Sequence, residues 1–393
     1  MAIIRDIGLT SRHLAAVVFL VLIFLPLVFL GRTELLGSDL AENRYPQPFP
    51  KSWSVKYLER VSQFFNDNHG FRNALVLLGG RVMLGLGIKS SHPSVIVGED
   101  GWLFYQDDGS ERGRATMKDF RGRQRVAPDQ LALIRGNLES IDRAFRRCGV
   151  RFVVWLIPNK QTIYGEHLTG FAEARGRRRL DQLVAALGEM RGLHWDDARP
   201  ALLAAKGRFD GRDLYFRTDT HWNGLGAFIA YESLISGLAP ALNLPRLENA
   251  DPARYEIRMS PYPDGDLSAN MLNARWRFKD SRVELVPRFT RSAAEVPPDK
   301  AAASAGVSIP KLKSVWTNPA AARTMVMYGD SFAPAAIPYL REHFGRGYFI
   351  LDNVVDGEAI GKLQPDVVIL QVAERLLASL AVKPRNLDRL CGS

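Results

Sequence analysis

An α/β fold with a doubly wound parallel sheet is the architecture this sequence predicts, and three observations predict it. Short runs rich in β-branched and aromatic residues recur along the chain: RFVVWLIP (151–158), TMVMY (324–328), YFILDN (348–353) and PDVVILQV (365–372). Segments of helical length separate them. The clearest is PDQLALIRGNLESIDRAFRR (128–147), whose apolar residues fall at a helix period and which closes on Cys148-Gly149. Finally, the runs are near-continuously apolar instead of alternating, as expected of strands covered by helices on both faces.

The elements follow in chain order. Leu14 to Leu30 is an unbroken apolar run of 17 residues, interrupted in character only by Pro26; as a helix it spans about 26 Å, near the lower limit for a bilayer. The sequence after it, VFLGRTELL, offers no small-x-small cleavage site, so a retained signal anchor is expected over 1–31, with a short cytoplasmic tail. Arg5 and Arg12 before the span are matched by Arg32 and Arg44 after it, so orientation rests on the large domain that follows, which is expected outside the cytoplasm. Residues 32–95 read as an extended entry, ENRYPQPFP, and helices such as VKYLERVSQFFNDN that pack on the main domain. The apolar stretch Ala74 to Ile88 carries Arg81 and glycine turns and is not expected to span. The main domain, 96–393, opens with GEDGWLFY, a tight turn into a strand. A helix is expected over 225–243, and a surface loop insertion over 284–312, where the sequence turns to Pro, Ala, Ser and Lys.

Composition narrows the function classes. With 46% hydrophobic and 24% charged residues, disorder, collagen and coiled coil drop out. Lys plus Arg number 52 against 42 Asp plus Glu, a net charge of +10 that favours polyanions or anionic membrane surfaces. The basic clusters, Arg112–Arg125 and Arg175–Arg179, have no zinc-finger spacing, RNA-binding strand or recognition-helix pattern, so no nucleic-acid partner is expected. The two cysteines, Cys148 and Cys391, exclude a Cys-based zinc site and leave open whether they pair or remain free thiols.

Two constellations carry chemistry. In TMVMYGDSFAPA an apolar strand ends at Gly329-Asp330-Ser331 and a helix starts near Ala333-Pro334, so Ser331 projects at the carboxyl end of a parallel strand, where such sheets bind ligands. The first amides of that helix are candidates for an oxyanion site. Alone, Gly-Asp-Ser is also an ordinary turn. In RTDTHWNGLGAF, Asp219 and His221 lie two apart, so an extended segment puts both side chains on one face and the carboxylate can hold the imidazole. A serine hydroxyl needs such a base to act as a nucleophile, and Asp219, His221 and Ser331 supply the three parts. A structural histidine beside a loop aspartate is the plain alternative. No third and fourth metal ligand stand at a suggestive spacing, so neither metal nor cofactor is expected.

Taken together these residues resemble the alginate O-acetyltransferases of the SGNH-hydrolase-like superfamily. The matching pieces run in order through nearly all of the chain after the apolar segment: ENR (42–44), FFNDNHGFRNALV (64–76), GEDGWLFY (98–105), IPNKQTIYGEHL (157–168), DTHWN (219–223), GDL (265–267), GDSF (329–332) and VAERLL (372–377). The resemblance implies catalytic roles for Ser331, His221 and Asp219, and an SGNH-like sheet with a permuted triad order, since ordinary SGNH hydrolases place the serine first. It also implies a single-pass inner-membrane protein with its catalytic domain in the periplasm. Its partners would be an exported polysaccharide, a membrane-bound O-acyltransferase that supplies acetyl groups, and other polysaccharide export components. The departure from the family pattern is that no carbohydrate-binding module is recognisable after the last strand.

Four further residues are expected near the substrate. Arg375, beside Glu374 at the end of the last strand, is a candidate for the acyl oxyanion or a uronate, with a structural salt bridge as the alternative. Lys160 and Tyr164 follow the strand ending at Pro158, and Trp222 is a candidate for stacking on a sugar ring or a core aromatic at a helix start. The expected activity is two-step acetyl transfer from a donor through Ser331 to a sugar hydroxyl. An acetylesterase using the same triad with water is the first alternative, and a non-catalytic anchored subunit of a polysaccharide export complex is the second.

Overall fold

The computed structural model describes residues 11–30, 46–86, 90, 92–106, 116–170, 176–245, 247–299 and 309–390. The ENR piece (42–44) and Cys391 lie outside the described residues. Two compact units divide the chain: Met1–His92 with Ser268–Arg275, and Pro93–Leu267 with Trp276–Ser393.

The first unit contains α1 (Ser11–Val28), α2 (Tyr57–Asn68) and α3 (Arg72–Gly85). Large apolar side chains of α1, among them Leu14, Phe19, Leu22 and Phe24, are exposed, an arrangement that water penalises and a hydrocarbon environment does not. The end of this segment folds back within its unit: Phe29 packs edge-on against Phe71 at 5.4 Å and Leu30 bridges His69. The end of α2 is tied to the segment that precedes the helix: Asp67 accepts from the Gln47 amide at 2.9 Å and Asn68 donates to the Gln47 carbonyl at 3.0 Å.

The second unit begins with an antiparallel hairpin, β1 (Val95–Val97) and β2 (Leu103–Tyr105), whose turn uses left-handed residues Asp100 and Gly101. After α4 (Thr116–Phe120) comes α5 (Pro128–Arg147), with Pro128 at its first turn and Arg146 and Arg147 in its last, where each suits the helix end. Its buried Ile134, Leu138, Ile141 and Phe145 repeat at helical spacing. Next are β3 (Arg151–Ile157), α6 (Lys160–Ile163), α7 (Arg179–Gly188), β4 (His194–Asp197), α8 (Ala198–Ala205) and α9 (Gly224–Leu242). The remainder comprises β5 (Tyr255–Pro261), β6 (Ser281–Pro287), β7 (Ala294–Val296), β8 (Leu312–Thr317), β9 (Thr324–Tyr328), α10 (Ile337–Leu340), β10 (Arg346–Ile350), α11 (Gly357–Leu363) and β11 (Val367–Ala373).

Among the described residues the main sheet has seven strands in the order β4-β3-β11-β9-β10-β8-β7. The five strands from β4 to β10 are parallel, and their alternate side chains feed two cores. Val153, Trp155 and Ile157 of β3 join one with α8 and α9, while Phe152, Val154 and Leu156 join the other with α5, α7 and α11. Burial of each such side chain contributes about 1.5–3 kcal/mol, which is why near-continuous apolar runs mark these strands. Helix α9 is long and apolar enough to cross a membrane, yet most of it is buried in the first core.

The sheet is mixed where the sequence predicts an all-parallel one. β8 runs antiparallel to β10, and β7 antiparallel to β8. Both lie in or beside the segment 284–312, expected as a loop. That segment also carries the end of β6, which pairs with β5 through seven residues and buries Val283 and Leu285 on one face. An antiparallel edge can bury one face only, so its residues alternate with polar ones and read as a polar stretch.

Candidate active site

Ser331 owes its position to a turn fixed from below. β9 lies between β11 and β10, and at its end Gly329 packs so close to β11 that an added Cβ would stand 2.6 Å from Gln371 Oε1. Asp330 turns inward. Its Oδ2 accepts from the Ala373 amide at 2.7 Å, its Oδ1 from Gln371 Nε2 at 3.1 Å and from the Phe332 amide at 3.0 Å, and its own amide donates to Gln371 Oε1 at 3.0 Å. The Trp222 indole N–H holds the Phe332 carbonyl at 3.1 Å. With its neighbours bound inward, Ser331 is left exposed on the outer side of the turn. The expected oxyanion amides are already engaged, since Phe332 N donates to Asp330 Oδ1 and Ala333 N to the Asp330 carbonyl at 3.2 Å.

Asp219 and His221 come together through a turn instead of the extended segment their spacing predicts. The Asp219 Oδ1 accepts both the His221 amide at 3.0 Å and His221 Nδ1 at 2.6 Å, an Asx-turn geometry. Asp219 Oδ2 accepts the Tyr262 hydroxyl at 3.0 Å and the Asp266 amide at 2.9 Å. Flanking residues are tied by two more carboxylates. Asp280 accepts the amide and hydroxyl of Thr218, each at 2.8 Å; Asp266 accepts the Thr220 amide at 2.7 Å and hydroxyl at 2.6 Å. Gly265 is required beside them, because a Cβ there would fall on the Thr218 carbonyl.

The electrostatics follow from this crowding. Burial works to raise the Asp219 carboxyl, but the hydrogen bond and charge of His221, with the Asp266 and His221 amides, outweigh it and hold the group well below the usual carboxylate range. Asp266 goes the other way, raised by burial and by the Asp219 charge. His221 Nε2 reaches Ser331 Oγ at 2.7 Å. With Nδ1 committed to a carboxylate, Nε2 is the acceptor for the serine proton, the polarity a serine nucleophile needs. Asp219, His221 and Asp266 could by spacing hold a cation, but in this arrangement both imidazole nitrogens are already engaged.

Ser331 and His221 open into a cleft of ≈ 940 Å³ whose walls include Tyr262, Arg282, Arg291 and Arg341. Arg341 pairs with Glu295 at 3.0 Å and Arg282 approaches Glu284 at 3.7 Å. The Arg282 pair is half-exposed and the Glu295 partner of Arg341 is exposed, so both pairs are weak and leave the guanidinium groups able to meet an anion.

The other expected site residues are placed differently. Trp222 is 1% exposed and forms the floor under the Ser331 turn, so it is a core aromatic and not a stacking platform. Tyr164 is buried against Trp102, its hydroxyl accepts the Leu214 amide at 2.8 Å, and burial pushes its phenol up. Lys160 is buried and donates to backbone carbonyls, and so does not face the cleft. Arg375 sits with its guanidinium 5.0 Å from the Phe332 ring centroid, beside the serine turn. Sequence reading missed Tyr262, Asp266 and Asp280. Asp266 lies in the GDL piece, which was a usable signal; Tyr262 and Asp280 are met only through the tertiary fold. Cys148 is disulfide-bonded.

Glu374, the sequence neighbour of Arg375, is buried. Its carboxylate accepts the Asn159 amide at 2.8 Å and the Thr162 hydroxyl at 2.7 Å, tying β11 to the start of α6. Burial, with the charge of Asp119, raises it to about 7. A carboxyl raised on folding contributes stability that is fully present below its unfolded value and is lost as pH rises through about 7. Glu374→Gln keeps the acceptor oxygen without the charge. It is expected to match wild type near pH 4 and to exceed it above pH 7 by up to about 3 kcal/mol. Denaturant melts at the two pH values measure this; an equal effect at both would contradict it.

Comparison with known proteins adds a family. A family model described as "SGNH hydrolase-like domain, acetyltransferase AlgX" matches residues 95–307, a span that includes Asp219, His221 and Asp266 and stops before Ser331. The "Probable alginate O-acetylase AlgJ" of Pseudomonas aeruginosa is 33% identical over 135 residues, 34% of this chain and 30% of that protein. The protein of the same name from Pseudomonas putida is 27% identical over 197 residues, 49% of this chain and 46% of its own. The chain therefore matches less than half the length of these relatives. The structure of Bacillus cereus PatB1 with a sulfonyl adduct is similar in fold, with a TM-score of 0.52 at 15% identity over 74% of this chain and 99% of that one.

Proposed function

The chain belongs to the family of the SGNH hydrolase-like domain of the acetyltransferase AlgX, and on that premise we propose that it is an O-acetyltransferase that modifies hydroxyl groups of an exported polysaccharide through a serine acyl-enzyme. The observation that carries this reading is the hydrogen-bonded series Asp219–His221–Ser331, ending in an exposed serine in an open cleft. His221 Nε2 takes the Ser331 proton as Oγ attacks the acetyl carbonyl. The tetrahedral intermediate collapses, and His221 returns the proton to the donor's leaving group. A sugar hydroxyl then gives its proton to His221 and attacks the acetyl-serine, leaving the acetyl on the sugar and Ser331 restored. We assign Arg375 to offsetting charge on the tetrahedral oxygen, on the strength of its position over Phe332.

The acceptor is an acidic polymer. Alginate appears in the names of the relatives, and Arg282, Arg291 and Arg341 line the cleft in a chain of net charge +10. The exposed apolar face of α1 supports an anchor over residues 1–31 in the inner membrane, with the catalytic domain, 96–393, in the periplasm. There a membrane-bound O-acyltransferase supplies acetyl groups, and other export components present the polymer.

Residues 32–393, given p-nitrophenyl acetate and a panel of de-acetylated acidic and neutral oligosaccharides, are expected to form acetylated acidic sugar, read by mass spectrometry. Nitrophenol release that depends on Ser331 but yields no acetylated sugar would identify an esterase. No Ser331-dependent release at all would favour the non-catalytic subunit.

A further inference from the structure

Lys160 is a charged side chain without access to the cleft. It opens α6 directly after β3 and is 2% exposed. Its ammonium meets the carbonyls of Phe216 and Arg217, each at 3.1 Å, and of Asp219 at 2.6 Å. Three donors on one centre are what three converging carbonyls require, and an ammonium supplies them. The rings of Trp102 and Phe104, 5.6 and 5.2 Å away, cover it. Asp266, Asp219, Asp280 and Asp213 all act on it electrostatically, and Arg375, Gln161 and Tyr105 line the small cavity beside it. Burying an ammonium is costly unless it is paired and fully hydrogen-bonded. Here the partners are the backbone of the turn that carries Asp219 and His221, and the carboxylates that brace that turn.

We propose that Lys160 is a positioning residue for acyl transfer: by holding the carbonyls of Phe216, Arg217 and Asp219 at one point, it aims the Asp219 carboxylate at His221 and thereby His221 at Ser331. The inference rests on the serine acyl-enzyme reading above. It differs from a purely structural role in two ways. Loss of the ammonium takes this donor from the Phe216 and Asp219 carbonyls at the base of the turn, while the Arg217 carbonyl keeps the Leu103 amide at 2.8 Å, so the damage falls on orientation during reaction more than on donor binding. Burial also lowers the amine to about 8, against the partial opposition of the four aspartates, so the clamp loses its third proton just above neutral pH.

The test uses kcat and KM for p-nitrophenyl acetate, corrected for spontaneous hydrolysis, between pH 6.5 and 10, with Ser331→Ala as control. Wild-type kcat is expected to fall reversibly above about pH 8. Lys160→Met is expected to melt cooperatively, to lose about ten- to a hundredfold in kcat with KM little changed, and to lack the fall at high pH. A folded Lys160→Met with wild-type kcat and the same pH profile overturns the proposal. Should that variant fail to fold, the wild-type profile decides: a kcat flat to pH 10 overturns the proposal, and a reversible fall near pH 8 in a protein that stays folded supports it. Turnover by wild type that Ser331→Ala retains in full removes the acyl-enzyme reading itself, and the Lys160 role with it.

Discussion

Ser331→Ala is expected to reduce acetyl transfer to the background rate, a loss of about 10³-fold or more, while the protein melts as wild type does. The two halves of this expectation come from different atoms. The hydroxyl is the nucleophile, hydrogen-bonded to His221 Nε2 at 2.7 Å, so its removal leaves the imidazole with nothing to activate. The turn that presents it is secured by Asp330, Gln371 and the Ala373 amide, none of which touches the serine side chain. One exposed hydrogen bond contributes about 1 kcal/mol at most to the fold. Nitrophenol release and a thermal melt on the same preparation check both halves.

The second large effect is expected at Asp219. In Asp219→Asn one side-chain oxygen is replaced by an amide nitrogen, which donates where the carboxylate accepted. Four donors converge on the native group: the His221 amide and Nδ1 on Oδ1, the Tyr262 hydroxyl and the Asp266 amide on Oδ2. Asparagine can serve one pair and must oppose the other. If it opposes His221, the imidazole is driven to the tautomer with its proton on Nε2, facing Ser331, and kcat should fall by about 10³- to 10⁴-fold. If it opposes Tyr262 and Asp266, the bracing fails and stability drops by about 1–3 kcal/mol. Single-turnover kinetics with a denaturation curve separate the two; a variant unchanged in both would contradict the role given to this carboxylate.

How far these features can be read before the structure depends on how local they are. The strand–turn pattern around GDS is written in adjacent residues, an apolar run that stops at a glycine, and β9 and its turn lie where that pattern puts them. The nearness of Asp219 to His221 is also local, though the route is wrong: an Asx turn joins them, where alternation along a strand was expected. The link from His221 to Ser331 spans 110 residues. No spacing rule reaches that far, and only triad chemistry and family resemblance connect them.

The site residues whose direction the sequence leaves open share a physical cause. Lys160, Tyr164 and Trp222 are polar or amphipathic side chains next to strand and helix ends, where a sequence cannot tell whether the polar atom faces the cleft or the backbone behind it. In each case it meets backbone: carbonyls 216, 217 and 219, the Leu214 amide, and the Phe332 carbonyl. Tyr262 and Asp280 went unnoticed because their partners lie 43 and 62 residues away. β7 and the end of β6 lie within the expected loop 284–312 because one-sided burial leaves them half polar.

The acetyl-serine itself is the most direct object of measurement. Residues 32–393, mixed with p-nitrophenyl acetate, quenched in acid and digested, are expected to carry one acetyl group on the peptide containing Ser331. Adding acidic oligosaccharide before the quench should discharge it, with acetylated sugar appearing as the modified peptide disappears. Acetylated sugar formed at full rate with no acetyl on Ser331 at any time would contradict the acyl-enzyme, and with it the roles given to Asp219, His221 and Lys160.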